Sequence, residues 1–206
     1  KNEKKLGKNT GEYTACTLDI TPFCSLNTPN SLAVCVDNSR QDIPPISGDF
    51  TFFGGIYRDV WLTAVSKQHF HLTNYGSEGI FISTPKVSEE KGTILIRGDI
   101  KNDATQKALL ELEHIIYHPN GSIAQSLKQS IQIKAGEQYS FRSETSPILS
   151  PQLWTPETPH LYRVESILRD KKTKTVLDQS NHYPGFRWFS FDGERGFSLN
   201  GKPYKL

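Results

Sequence analysis

The chain has 206 residues, and its 24 Lys and Arg against 22 Asp and Glu leave a formal net charge of +2, too small a surplus for a nucleic-acid surface. No apolar run approaches the ~18 residues of a membrane span. A chain of this length buries roughly 70% of the surface it exposes when unfolded, enough to fold without a metal or disulfide staple, and 11% aromatics with 12 prolines fit a loop-rich, strand-rich domain instead of disorder.

Short apolar or alternating runs recur along the chain, separated by Gly, Pro, Asn and Asp. They predict strands over 13–20, 31–37 and 56–65. The three cysteines, Cys16, Cys24 and Cys35, fall in this first part with no CxxC or Cys/His spacing, which argues against zinc and against a disulfide scaffold. Cys35 lies within the apolar run 32–36 and reads as a buried reduced thiol, while oxidation of one pair stays open. Asp42-Ile43-Pro44-Pro45 cannot donate a full ladder of hydrogen bonds. Residues 48–55, with Phe50, Phe52 and Phe53 between glycines, form a loop. Asp49 in that loop has two readings: an acid beside aromatic faces that hydrogen-bonds sugar hydroxyls, or a loop acid in a turn or ion pair. Arg58 and Asp59 alternate faces and cannot pair with each other.

After a polar joint at 66–68, further strands are predicted over 69–75, 79–83, 93–100, 109–118, 126–134, 138–144, 162–169 and 174–183. This spacing is that of an antiparallel sandwich. His69 and His71 share a strand face, a spacing metal sites use, but no acid or Cys lies at a telling distance, so they read as a solvent-facing pair and no metal is assigned. Residues 107–113 are good helix formers, yet Leu110, Leu112, His114 and Ile116 alternate with Glu111, Glu113, Ile115 and Tyr117, which predicts a strand. Asn120-Gly121 predicts a type I′ hairpin turn, and the turn accounts for the formal glycosylation sequon Asn120-Gly121-Ser122. The stretch 147–159, with four prolines and Trp154, is a long loop. Asn200-Gly201 closes a tight turn between residues 197–199 and Tyr204. No phosphate loop, nucleophile elbow or HExxH run is present.

Several of these runs are similar to one family. Gly48-Asp49-Phe50-Thr51-Phe52-Phe53-Gly54-Gly55-Ile56-Tyr57-Arg58-Asp59-Val60-Trp61-Leu62 resembles the end of the sugar-binding domain of glycoside hydrolase family 2. Tyr13-Thr14-Ala15 and the run from Leu32 to Asn38 resemble its preceding strands. Leu153-Trp154-Thr155-Pro156-Glu157-Thr158-Pro159-His160-Leu161-Tyr162, then Gly185-Phe186-Arg187 and Phe197-Ser198-Leu199-Asn200-Gly201-Lys202-Pro203, follow in the family's order. The resemblance implies an all-β chain: the C-terminal part of a jelly roll over 1–65, an immunoglobulin-like sandwich over 66–187 and a lead-in hairpin over 188–206 to a (β/α) barrel.

With no Met and no leader-like start, the chain reads as a piece of a longer protein, whose compartment, periplasmic or secreted, stays open. The resemblance then implies a non-catalytic region of a retaining glycosidase, a β-galactosidase acting on terminal β-galactosides of oligo- or polysaccharides. The residues themselves do not separate galactoside from glucuronide or mannoside. Both catalytic glutamates would lie beyond Leu206. Asp49, six residues before Gly55, would hydrogen-bond the bound sugar in the intact enzyme. No cofactor is implied for the chain itself, and the resemblance leaves room for a monovalent or divalent cation in the intact enzyme. The implied partners are its own catalytic barrel, the β-galactoside in that context, and further copies of the chain through unpaired strands; nucleic acid and membrane are not among them. The competing class is a free-standing β-sandwich binding or adhesion module.

Overall fold

From residue 68 onward β-branched and aromatic residues alternate with polar ones, and the backbone answers with strands. The computed structural model describes residues 4–10, 14–25, 27–37, 39, 54–73 and 76–205. They divide into two units, Lys1–Ala64 with Tyr75–Ser77, and Val65–Asn74 with Glu78–Leu206. The second unit holds β1 (Gln68–Phe70), β2 (Ile80–Val87), β3 (Lys91–Asn102), β4 (Ala108–Tyr117), β5 (Ile123–Ile133), β6 (Gln138–Glu144), β7 (Ile148–Leu149), β8 (Arg163–Asp170), β9 (Val176–His182), β10 (Phe189–Asp192), β11 (Gly196–Leu199) and β12 (Lys202–Pro203).

The fold of this unit is an antiparallel, immunoglobulin-like sandwich. One sheet is built on β3: Ile100 pairs with Phe70 of β1 and with Tyr139 of β6, and Ile96 pairs with Ile82 of β2 and Ser143 of β6, so β1 and β2 share one edge and β6 the other. The second sheet runs β5-β4-β8-β9. Ile94, Ile96, Ile100 and Phe141 from the first sheet meet Leu110, Leu112, Ile116, Val164 and Leu168 from the second, and all nine are buried. Each such side chain contributes about 1.5–3 kcal/mol relative to exposure. Tyr162, immediately before β8, is fully buried, and its hydroxyl accepts from the Gln152 amide at 3.1 Å, the corner that immunoglobulin-like sandwiches place at this strand. Residues 108–113 are strand and not helix, because the alternating face of β4 is needed by the core.

Three local expectations change. The strand expected over 69–75 ends at Phe70, and His69 is buried, with Nε2 at 3.1 Å from Asp103 Oδ2 and Nδ1 at 2.7 Å from the Phe70 carbonyl. Pairing of β1 with β3 brings in this acid from 34 residues away, which local spacing does not reveal. The turn after β4 is not type I′, since Gly121 has φ +85 but Asn120 has no positive φ. Pro119 takes the first central position, Gly121 N–H donates to the His118 carbonyl at 2.9 Å, and the ladder shifts after Ile116. Proline fixes φ near −65°, so the hairpin adopts a three-residue loop with a bulge. Asn200-Gly201 does form the primed turn, with φ +51 and +75 and Leu199 paired to Lys202.

The described residues of the expected strands 13–20, 31–37 and 56–65, all but Val65 in the first unit, carry no strand ladder. Leu32, Val34 and Val36 are exposed, as are Cys16, Cys24 and Cys35, so the buried thiol expected at Cys35 is not observed. Alternation predicts which residues share a face, but burial needs a second layer, and the described residues do not supply one. No helix among them is long and apolar enough to cross a membrane.

Candidate functional site

Asp49 lies outside the described residues, as do Gly48, Phe50, Phe52 and Phe53. Gly54 and Gly55 are exposed, and open space surrounds Gly55. Arg58 stands over the Tyr57 ring at 5.6 Å. The residues the sequence singled out further along come together at one place, where the proline-rich segment, the end of β9 and the terminal strands meet.

Trp154 organises this junction. Its amide donates to the Phe186 carbonyl at 2.8 Å, and Leu153 bridges Phe186 in parallel. The Arg187 guanidinium lies 4.4 Å over the indole, a contact of about 0.5–2 kcal/mol. Gly185 is required by the approach: a Cβ there would stand 2.8 Å from the Trp154 Cβ. Asn200, buried at the tip of the β11–β12 turn, donates from Nδ2 to the Trp154 carbonyl at 3.0 Å and accepts at Oδ1 from the Trp188 amide at 3.1 Å. Thus one side chain both permits the left-handed turn and ties the terminal hairpin to the sandwich. The prolines of 147–159 deny this stretch a regular ladder, leaving only the two residues of β7 and the isolated bridges.

An open cleft of about 570 Å³ lies beside the junction, with Gln152, Thr155, Glu157, His160, Lys202 and Tyr204 among its lining. Tyr204 donates to Glu157 Oε1 at 3.0 Å across it. The Glu157 backbone amide, Thr155 and Tyr204 hold the Glu157 carboxyl below its usual range, and the same bond pushes the Tyr204 phenol up.

A glycosidase general acid must carry its proton near neutral pH, which requires a raised carboxyl pKa. Among the described residues every carboxyl with a resolved shift moves the other way. Hydrogen-bond donors lower Glu111, Glu157, Asp170 and Asp192. In Asp103 and Glu113 burial works upward, but bonds from His69 and Lys101, and from Lys128, Ser126 and Arg169, outweigh it. These acids hold strands and turns together, as Glu113 does with Arg169 at 2.7 Å and Lys128 at 3.1 Å. No group of three His, Cys, Asp or Glu among the described residues could hold a metal ion. His114, on β4, faces the core, and His118, just after that strand, packs on Tyr162 at 5.6 Å.

The chain matches the model of glycosyl hydrolases family 2 over residues 78–187. It is similar to the solved β-glucuronidase 2 of Bacteroides uniformis, covalently bound to cyclophellitol-6-carboxylate aziridine, with 69% identity and a TM-score of 0.95 over 98% of this chain and 24% of that one. It is 31% identical to a β-glucuronidase of Bacteroides fragilis, over 100% of this chain and 29% of that protein. It is 29% identical to a β-galactosidase of Bacteroides ovatus, over 100% of this chain and 23% of that protein. The chain therefore spans roughly a quarter of the length of the relatives it matches.

Proposed function

This chain belongs to glycosyl hydrolase family 2, and from that premise we propose that it is the non-catalytic accessory region of a larger β-glucuronidase. The observation that carries the substrate is the 69% identity, across nearly the whole chain, with an enzyme that is a β-glucuronidase bound to a carboxylate-bearing inhibitor. The β-galactoside expected from the resemblance is the second reading, supported by the 29% identity with a β-galactosidase. A free-standing binding module has no observation in its favour.

On this reading residues 1–65 belong to a jelly-roll sugar-binding domain, 66–187 to the immunoglobulin-like sandwich, and 188–206 lead into the catalytic barrel. The two carboxylates of a retaining glycosidase, about 5–5.5 Å apart, belong to that barrel. Asp49 is then the residue by which this region touches substrate, accepting two sugar O–H bonds. Charge-assisted bonds of this kind are each worth about 1.5–3 kcal/mol when desolvated. One solved relative is a calcium-binding mutant of the Bacteroides uniformis enzyme, and we propose no cation site on the described residues here.

The test is steady-state kinetics of the intact enzyme on nitrophenyl β-glucuronide and β-galactoside. A kcat/KM favouring the glucuronide at least a hundredfold is expected, and the reverse preference overturns the substrate reading. Asp49→Asn should lower kcat/KM roughly ten- to a thousandfold with an unchanged Tm; an unchanged kcat/KM leaves Asp49 an ordinary loop acid.

A further inference from the structure

We propose that Asn120 is a self-modification site: the hairpin tip between β4 and β5 is built to convert this side chain, through a cyclic imide, into aspartate and isoaspartate. The hydrolase reading makes no use of Asn120-Gly121-Ser122, and all three residues are exposed. In the reaction the Gly121 amide nitrogen gives up its proton and attacks Asn120 Cγ. The new N–C bond closes a five-membered ring, and Nδ2 leaves with that proton as ammonia. Water then opens the ring: cleavage at the side-chain carbonyl leaves aspartate, and cleavage at the backbone carbonyl leaves isoaspartate. The balance is one water consumed and one ammonia released, with nothing oxidised or reduced.

The tip supplies what the attack needs. Asn120 Oδ1 accepts from the Ser122 amide at 3.0 Å and from the Ser122 hydroxyl at 2.7 Å. Negative charge develops on this oxygen as Cγ becomes tetrahedral, and two donors at about 2.7–3.1 Å are the arrangement that stabilises such an oxyanion. Nδ2, the leaving group, has no partner among the described residues. Gly121 has no side chain to crowd the ring: a Cβ placed there would meet nothing within 4 Å, and its φ of +85 is one that glycine holds without strain. The Gly121 N–H restrains the attack by donating to the His118 carbonyl at 2.9 Å. At an exposed tip that bond opens without disturbing the core.

The chain's second Asn-Gly pair provides the contrast. Asn200 is 7% exposed, with Nδ2 committed to the Trp154 carbonyl at 3.0 Å and Oδ1 to the Trp188 amide at 3.1 Å. Expelling this Nδ2 breaks its bond to Trp154 and draws Oδ1 from Trp188, so the pair stays intact until the terminal hairpin itself opens. The same dipeptide thus has opposite fates, and the third residue differs as well, serine at 122 against lysine at 202. Aspartate at 120 accepts the same two Ser122 bonds, so it keeps the turn while adding a negative charge. Isoaspartate lengthens the backbone by one carbon in the loop that fixes the β4–β5 register. The tip therefore records the age of each molecule in charge and in loop length.

The experiment ages the intact enzyme at mildly alkaline pH, native and in urea, and resolves the Asn, Asp and isoaspartate forms of each peptide by chromatography and mass spectrometry. In the native enzyme Asn120 should convert roughly tenfold faster than Asn200 or more, and in urea the two rates should fall within about threefold of each other. Ser122→Ala removes the hydroxyl donor at an exposed position and should slow native conversion of Asn120 roughly three- to tenfold, with Asn200 unaffected. Asn120→Gln, which cannot close the five-membered ring, should abolish isoaspartate at this position. The comparison of native with unfolded enzyme needs no variant to fold. Equal native rates at Asn120 and Asn200, or conversion of Asn120 unchanged by Ser122→Ala, overturn the proposal.

Discussion

Acid should unfold the sandwich through His114. This side chain lies between the sheets, 1% exposed, with Nδ1 at 2.8 Å from Ser166 Oγ, its ring 5.4 Å from Phe141, and no hydrogen-bond partner for Nε2. Burial pushes the imidazole from its ordinary 6.5 down to about 4. The unfolded chain therefore binds a proton between those values that the folded chain refuses. Stability from this group is complete above pH 6.5, declines as pH falls toward 4, and levels off below. At about 1.4 kcal/mol per pH unit the loss amounts to about 3 kcal/mol. Urea unfolding of the chain followed by tryptophan fluorescence between pH 4 and 8 measures it. The comparison is His114→Leu combined with Ser166→Ala, which removes both partners and leaves no orphaned hydroxyl. Carboxylates such as Glu113 also lose their contribution in acid, but they do so equally in both proteins. The stability of the unaltered protein minus that of the variant should therefore fall by about 3 kcal/mol from pH 7 to pH 4. Parallel pH profiles would refute the reasoning.

Asn200→Ala should cost about 2–4 kcal/mol, since it leaves the half-buried Trp188 amide and Trp154 carbonyl without their partner and places an alanine in the left-handed region; Asn200→Gly, which removes only the bonds, should cost less, and equal urea midpoints for both variants would contradict this. Gly185→Ala forces a Cβ to within 2.8 Å of the Trp154 Cβ. It should cost about 1–3 kcal/mol and alter tryptophan fluorescence, whereas an unaltered spectrum and midpoint would show that the segment yields freely. In the first unit Leu32, Val34, Val36, Trp61 and Leu62 are each more than 45% exposed, so the isolated chain should self-associate; a strictly monomeric chain in sedimentation at high concentration speaks against it.

What could be read in the sequence was what short periods encode. The alternation in 109–118 and 138–144 outweighed the helix-forming composition of 107–113, because a strand that must fill a core shows its period of two directly. The Asn200-Gly201 turn was legible because both residues tolerate positive φ, and the Asn120-Gly121 turn was misread because Pro119 had already claimed the first central position. Strands β7 and β10, of two and four residues, are too short for any period to show. The burial of His69 depends on Asp103 across a ladder, and the junction depends on Asn200 reaching Trp154 from 46 residues away. Such contacts belong to topology and leave no local trace. Asp49 lies outside the described residues, and its assignment rests on its place in a motif, since no spacing of charges in the chain nominates it.

The central claim, that this chain serves a β-glucuronidase without supplying its catalytic carboxylates, is tested most directly by covalent labelling. The intact enzyme and the isolated 206-residue chain are each treated with cyclophellitol-6-carboxylate aziridine, and the adduct is mapped by peptide mass spectrometry. The account predicts one adduct per intact enzyme, on a glutamate outside this chain, and no mass change in the isolated chain. An adduct on any Asp or Glu within residues 1–206, or an intact enzyme that reacts only with the galacto-configured aziridine, would contradict it.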